Sequence, residues 1–149
     1  MQPFVRIDPE GDLAAMIERV YETRLEVSGG WGYDPHSATR IHALPVSKPQ
    51  LQFNLAHMRT YLEMNITRTP QERYGGIDLQ EVSRTLKGTL EEVNYRVSGI
   101  PEALYNAFID EYKAGYGRDD FDIGEHFARR NDATLVRTVG YWFDLSALA

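Results

Sequence analysis

Two large aromatic residues, a carboxylate and an imidazole lie close together in the segment Ser28–His36, which also holds three glycines and a proline. Gly and Pro disfavour both helix and strand, which predicts a surface loop. Trp and Tyr on such loops often anchor a partner, since they supply much contact area on few rotatable bonds. We therefore predict a binding site formed by Trp31, Tyr33, Asp34 and His36, with Trp31 at least partly exposed to solvent. In the alternative, both rings fold back over the edge of the core.

The same loop could instead border a cleft that carries acid-base chemistry. Asp34, His36 and His42 are the groups that a small enzyme or ligand-binding protein would use there. The geometry that separates the two hypotheses is the convergence of two or more side chains in one concave pocket. The side chains concerned are Asp34, His36, His42, His57 and His126.

Asp122 and His126 are four positions apart, so a helix would place both on one face, where they could bind a metal ion. The run is close to an inverse zinc-protease pattern, but Asp122 stands where that pattern requires its first His. Gly124 would also loosen the geometry of such a site. We therefore interpret the pair as a local contact near a helix start and predict no metal and no cofactor.

Two further groups of residues carry no chemistry in our interpretation. The run Arg73–Gly76 precedes a predicted helix, where backbone amides could bind an anion, but Asp78 already places a negative charge there. Glu91 and Glu92 are adjacent in a predicted strand and point to opposite faces, so they cannot form an acid-base pair. No nucleophile elbow or other complete catalytic signature is present in the sequence.

Composition narrows the class of protein. The chain of 149 residues predicts a single domain over 1–149, and 42% hydrophobic with 26% charged residues is typical of a soluble globular fold. Sixteen basic and 22 acidic residues give a net charge of −6, with the basic residues scattered, which disfavours direct binding to nucleic acid. The absence of cysteine, of a leader pattern and of a long apolar run predicts a cytoplasmic protein with no membrane association.

Apolar periodicity and capping residues predict the elements that must position these groups. The predicted helices are 9–21, opened by Asp8, Pro9 and Glu10, then Asp78 to Gly88, Pro101 to Gly115, and Asp119 or Asp120 to Asn131. The predicted strands are 23–28, 39–44, 60–67, 89–98 and 134–145, the last with Trp142 on the face opposite its buried side chains. Residues 51–59 fit a helix or a strand.

One-face alternation in most strands favours an α+β domain: an antiparallel sheet of about four to six strands with three or four helices packed on one face. Nine Tyr, two Trp and an acidic surface suit recognition of another protein. We therefore predict a non-enzymatic protein-binding domain, such as an inhibitor, adaptor or immunity-type partner. The alternative is a small enzyme or ligand-binding protein with a cleft near Asp34, His36 and His42.

Overall fold

Within the residues that the structure describes, four α-helices and a five-stranded sheet make up the α+β fold. The structure, a computed structural model, describes residues 13–66 and 68–148. The helices are α1 (Leu13–Tyr21), α2 (Lys48–Tyr61), α3 (Glu102–Gly115) and α4 (Ile123–Ala133), and the strands are β1 (Val27–Gly29), β2 (Thr39–Ile41), β3 (Tyr74–Lys87), β4 (Leu90–Pro101) and β5 (Leu135–Asp144). A π-helical turn at Leu62–Ile66 continues from α2.

The strands lie in the order β1-β2-β5-β4-β3. The pairs β1–β2, β4–β5 and β3–β4 are antiparallel, which confirms the predicted α+β class with a mostly antiparallel sheet. The pair β2–β5 is parallel and short, since it joins only Thr39 to Phe143 and Arg40 to Asp144. The sheet is therefore mixed, and within the described residues most of the edge of β5 beside β2 has no strand partner.

The main core lies between α1, α2 and one face of the sheet. From α1 and α2 it includes Leu13, Ile17, Leu51 and Leu55, all at most 2% exposed. From the sheet it includes Val93, Tyr95, Val97, Tyr141 and Phe143, each with no exposed surface. The other face carries half-buried or exposed side chains at alternate positions of β4 and β5, including Glu92, Asn94, Arg96, Thr138 and Trp142. We call it the polar face.

α3 and α4 pack against each other beside the β3–β4 end of the sheet. The ring of Phe108 on α3 meets His126 on α4 at 5.8 Å between centroids. At the sheet end, Tyr105 lies where any side chain at Gly75 or Gly76 would collide with its ring. The helix predicted from Pro101 to Gly115 is confirmed with these bounds to within one residue.

The strand predicted over 60–67 is wrong, because α2 extends through Tyr61 and a π-helical turn follows. Ser47 caps α2, and the helical stripe of Leu51, Leu55 and Leu62 is buried in the core. The free energy gained by burying that stripe outweighs the preference for a strand that the alternation of apolar residues over 60–67 indicates.

The helix predicted from Asp78 to Gly88 is also wrong, because this stretch belongs to β3. A helix would have buried Leu79, Val82 and Leu86 together, yet only Leu79 is buried, and Val82 and Leu86 are 60% and 57% exposed. Gly88 takes a positive φ of 63° in the tight turn that places Lys87 opposite Leu90. Pairing with β4 thus outweighs the capping signal of Asp78.

The remaining bounds differ less. β1 and β2 are shorter than the predicted strands 23–28 and 39–44, and α4 is capped by Asp122, not by Asp119 or Asp120. The predicted opening of the first helix at Asp8, Pro9 and Glu10 lies outside the described residues. None of the described helices is long and apolar enough to cross a membrane.

Candidate functional site

Trp31 is only 2% exposed, so the prediction that it is exposed on a surface loop is wrong. Gly32 adopts a φ of 71°, and any side chain there would collide with the ring of Tyr141. The Gly32 N–H donates to the Ser37 carbonyl at 2.7 Å, and its carbonyl accepts from the Trp142 N–H at 2.8 Å. The glycines therefore fold the loop back against β5 and direct the indole of Trp31 into the core.

The other three predicted site residues take separate places. The half-buried Tyr33 donates its hydroxyl to Glu63 Oε1 at 2.9 Å. Asp34 caps a short 3-10 turn, and the backbone N–H of Ser37, which donates to Asp34 Oδ1 at 2.8 Å, lowers the pKa of this carboxyl. His36 is exposed and lines a different cavity from Tyr33.

The histidines do not converge. The cavity beside His36 has a volume of about 410 Å³ and is also lined by Ser28, Arg40 and Asp144. His42 stands outside it and contacts the Ser28 hydroxyl through Nε2 at 2.8 Å. His57 lies against Phe53 on α2, and His126 is buried between α3 and α4. These side chains therefore do not come together in one cleft, as the hypothesis of a small enzyme or ligand-binding protein requires.

Asp122 and His126 have separate structural roles. Asp122 Oδ1 accepts the Glu125 N–H at 3.0 Å as the cap of α4, while His126 Nδ1 contacts Glu111 Oε1 at 3.0 Å. Within residues 13–66 and 68–148, no three His, Asp or Glu side chains are grouped so that they could hold a metal ion.

Arg59 is a site residue that the sequence analysis missed. It is 2% exposed, and its guanidinium carbon lies 4.6 Å from the ring centre of Tyr33 and 4.4 Å from that of Tyr141. Its Nε lies 3.2 Å from Glu63 Oε1, an i,i+4 pair that continues across the end of α2. Had 60–67 been interpreted as helical, this spacing would have been the signal for the ion pair.

The guanidinium of Arg59 also binds backbone groups of two other segments. Its Nη1 donates to the Trp31 carbonyl at 3.0 Å, and its Nη2 donates to the Gly140 carbonyl at 2.8 Å. Because the Gly140 carbonyl and the Trp142 N–H both bond away from β4, the even-numbered residues of β5 direct their backbone groups to its outer edge.

Between 135 and 139 this outer edge of β5 is open. Val136 and Thr138 direct their N–H and C=O groups outward by the same alternation. In the part of the chain that the structure describes, no backbone segment pairs with these groups, since β2 reaches only Phe143 and Asp144. On the inner side, β4 pairs with β5 without a bulge from Leu90 to Gly99.

A cavity of about 310 Å³ lies where the polar face meets this edge, and we call it the notch. Its size falls at the lower end of the range for small-ligand sites. The lack of a side chain at Gly140 lets Asn94 and Glu92 lie close to the β5 backbone, since a Cβ there would lie 3.3 Å from Asn94 Oδ1 and 3.6 Å from Glu92 Oε2. The other lining residues are Tyr33, Arg59, Glu63, Arg137, Thr138, Val139 and Trp142.

The notch therefore brings together two carboxylates, two guanidinium groups, an amide, an indole and an open strand edge. A glycine within a strand is the sequence signal for close approach of another backbone or a ligand, and Gly140 in the predicted strand 134–145 carries it. Comparisons of the chain with protein-family models, with curated proteins and with solved structures find no match.

Proposed function

We propose that this chain is a protein-binding domain that takes an extended segment of another protein as an additional strand beside β5. The observation that carries the proposal is the outer edge at 135–139, where the outward backbone groups of Val136 and Thr138, next to the notch, have no backbone partner among the described residues. Strand addition uses such groups for affinity and adjacent pockets for specificity.

The opposite end of the sheet is less suited to this role. β3 is also an end strand, but its pairing with β4 is irregular between Gly75 and Asp78 and again between Glu81 and Ser83. It carries charged side chains such as Arg84 and Lys87 along its length. Bulges and charges are the usual protection of an edge against pairing.

The structure also limits the length of the added strand. Beyond 139 the edge is occupied, since Arg59 binds the Gly140 carbonyl and the Gly32 carbonyl binds the Trp142 N–H. An incoming segment would therefore pair along about five residues, 135–139, and end against the loop that holds Trp31 and Gly32. A short, solvated strand site of this kind suits an inhibitor, adaptor or immunity-type partner, and the net charge of −6 favours a basic one.

The test uses peptides selected from a random nonapeptide display library on the immobilised protein, with affinities measured by fluorescence anisotropy. Thr138→Pro removes one outward N–H, which we expect to weaken binding roughly tenfold because a backbone hydrogen bond is lost and the ring obstructs pairing. Thr138→Val is the matched control, since it keeps the N–H and the β-branched shape.

Equal binding to Thr138→Pro and Thr138→Val would overturn the proposal, and so would a library that yields no binder. Both variants are first compared with the wild type by thermal unfolding. The proline lies on an edge whose outward N–H has no partner in the described chain, so the β4–β5 ladder stays intact.

A further inference from the structure

Glu92 and Trp142 face each other on the polar face, at one wall of the notch. They are direct register partners across the β4–β5 pair, and both are half-buried. Directly opposed residues have Cβ atoms about 5 Å apart, so a carboxylate and an indole border the same small volume.

Glu92 has no ion-pair partner within the described residues, and its hydrogen bond comes from Asn94 Nδ2 at 3.4 Å. Its neighbour Glu91, on the core face, contrasts with it: Lys48 Nζ and Arg84 Nη1 lie 3.2 Å and 3.0 Å from Glu91 Oε1. A half-buried carboxylate without a cation has lost part of its hydration, so a bound cation stabilises its charged form.

The cations near the notch do not supply that charge. Arg59 is bound to Glu63 and to two backbone carbonyls. Arg137, the register partner of Val97, also lines the notch, but no ion pair within the described residues joins it to Glu92. Arg96 shares the polar face but stands four residues from Glu92, about 13 Å along β4, beyond the screening length in physiological salt.

Gly140 provides the path from the outer edge to Glu92. A strand added beside β5 lies two strand spacings, about 10 Å, from β4, and its side chain must cross β5 to reach Glu92. Residue 140 is opposite Asn94 and lies between Thr138 and Trp142 on the polar face. Because Gly140 has no side chain, a side chain that crosses β5 there meets Asn94 Oδ1 and Glu92 Oε2, which lie 3.3 Å and 3.6 Å from the position of a Cβ.

From these observations we propose that the notch binds the cationic side chain of a Lys or Arg residue, inserted over Gly140 between the Glu92 carboxylate and the Trp142 indole. The carboxylate supplies the opposite charge, and indole is the best aromatic partner for a cation. The inference rests on the function proposed above, because the cation is carried by the segment that pairs with β5.

A small organic cation tests binding to the notch without any strand addition. The probe is n-butylammonium, which reproduces the end of a Lys side chain, titrated while the indole N–H resonance of Trp142 is followed by NMR. That resonance is assigned by its loss in Trp142→Phe. We expect n-butylammonium to shift it in the wild type, with a dissociation constant that rises roughly fivefold to tenfold in Glu92→Gln. Uncharged n-butanol should cause no comparable shift.

A shift of equal size with n-butanol, or unchanged n-butylammonium affinity in Glu92→Gln, would overturn the inference. Gly140→Ala gives an independent check, since it obstructs the crossing without altering charge and should weaken the same binding. Glu92→Gln is isosteric and breaks no ion pair of the described chain, so it should retain the wild-type melting temperature.

The display-selected peptides separate this inference from the proposed function. If both hold, selected peptides contain Lys or Arg, and replacing that residue with norleucine weakens binding to the wild type but not to Glu92→Gln. If selected peptides lack a cation yet lose affinity in Thr138→Pro, strand addition stands and the cation site is wrong. If n-butylammonium binding depends on Glu92 while Thr138→Pro changes nothing, the notch stands and strand addition is wrong.

Discussion

One buried arginine joins three segments that are distant in sequence. Arg59 on α2 binds the loop at Trp31, β5 at Gly140 and the π-helical turn at Glu63. The two carbonyls accept hydrogen bonds from its Nη atoms and Glu63 supplies the opposite charge, although the Nε of Arg59 makes no hydrogen bond within the described residues. The position of the loop against β5, and hence one wall of the notch, depends on this side chain.

Arg59→Ala should lower the free energy of unfolding by about 3–5 kcal/mol, the usual range for removing one partner of a buried ion pair. The loss follows because Glu63 stays buried without its cation and two carbonyls lose their donor. Arg59→Lys should recover only part of it, since an ammonium cannot reach all three acceptors at once. Urea denaturation followed by circular dichroism measures both, and a change below about 1 kcal/mol in Arg59→Ala would contradict the role assigned here.

The two tryptophans should differ in fluorescence, because Trp31 is buried and Trp142 is half-buried. In Trp142→Phe only the buried Trp31 emits, and we expect blue-shifted emission that iodide quenches weakly. In Trp31→Phe only the half-buried Trp142 emits, with redder emission and stronger quenching. Strong quenching of Trp31 would mean that the loop is open in solution and that the original prediction of an exposed anchor was correct.

At the scale of elements, local signals predicted some segments and failed for others for identifiable reasons. The helix after Pro101 and the strand 134–145 were predicted because a single periodicity runs through each with clear ends. The segments 60–67 and 78–88 each fit two periodicities, and long-range partners decided between them. For 60–67 the deciding contact is burial of the α2 stripe, and for 78–88 it is pairing with β4.

The candidate site was less predictable than the fold. Tyr33 was predicted and does line the notch, but Glu92, Asn94 and Trp142 face it only because β4 and β5 pair in one particular register. Alternation within each strand gave the face of a residue, and it predicted opposite faces for Glu91 and Glu92 and the outward face of Trp142. Alternation does not predict which residue of β5 lies opposite a given residue of β4, because that register depends on the tertiary fold.

The β3–β4 turn offers a test of the corrected element. Gly88 has a φ of 63° and open space around the position of a Cβ, so a substitution there strains the backbone without a steric clash. Gly88→Ala should lower the free energy of unfolding by about 1–2 kcal/mol, and Gly88→Asn by less, because Asn tolerates this conformation. Urea denaturation distinguishes the two, and equal losses would argue against a left-handed residue at this turn.

At the scale of the whole molecule, the excess of acidic residues makes stability depend on how the fold treats its carboxylates. Two of them stabilise the β1–β2 end of the sheet. The Ser37 N–H lowers the pKa of Asp34, and hydrogen bonds from Ser146, followed by Arg40, lower the pKa of Asp144. Both carboxylates are therefore held in the charged form by hydrogen bonds whose geometry the folded chain fixes.

A third carboxylate, Glu111, links α3 to α4. Arg129 is the main cause of its lowered pKa, and the hydrogen bond with His126 is the second. Because all three groups bind a proton less readily in the folded than in the unfolded chain, protonation favours unfolding. Their stabilising effect is fully present above the unfolded pKa values, about 3.9 for Asp and 4.3 for Glu, and is lost as the pH falls through the lower folded values.

We therefore expect the free energy of unfolding attributable to these groups to be level between about pH 7 and 5 and to fall below about pH 4. The triple variant Asp34→Asn, Glu111→Gln, Asp144→Asn should be less stable than the wild type at pH 7 but lose less stability on acidification, because its three amides do not titrate. Urea midpoints measured across this pH range give the dependence of stability on pH for the wild type and for the variant. If the variant declines as steeply as the wild type, other carboxylates control acid unfolding, and the hydrogen bonds and ion pairs at the two ends of the molecule are not its pH-sensitive contacts.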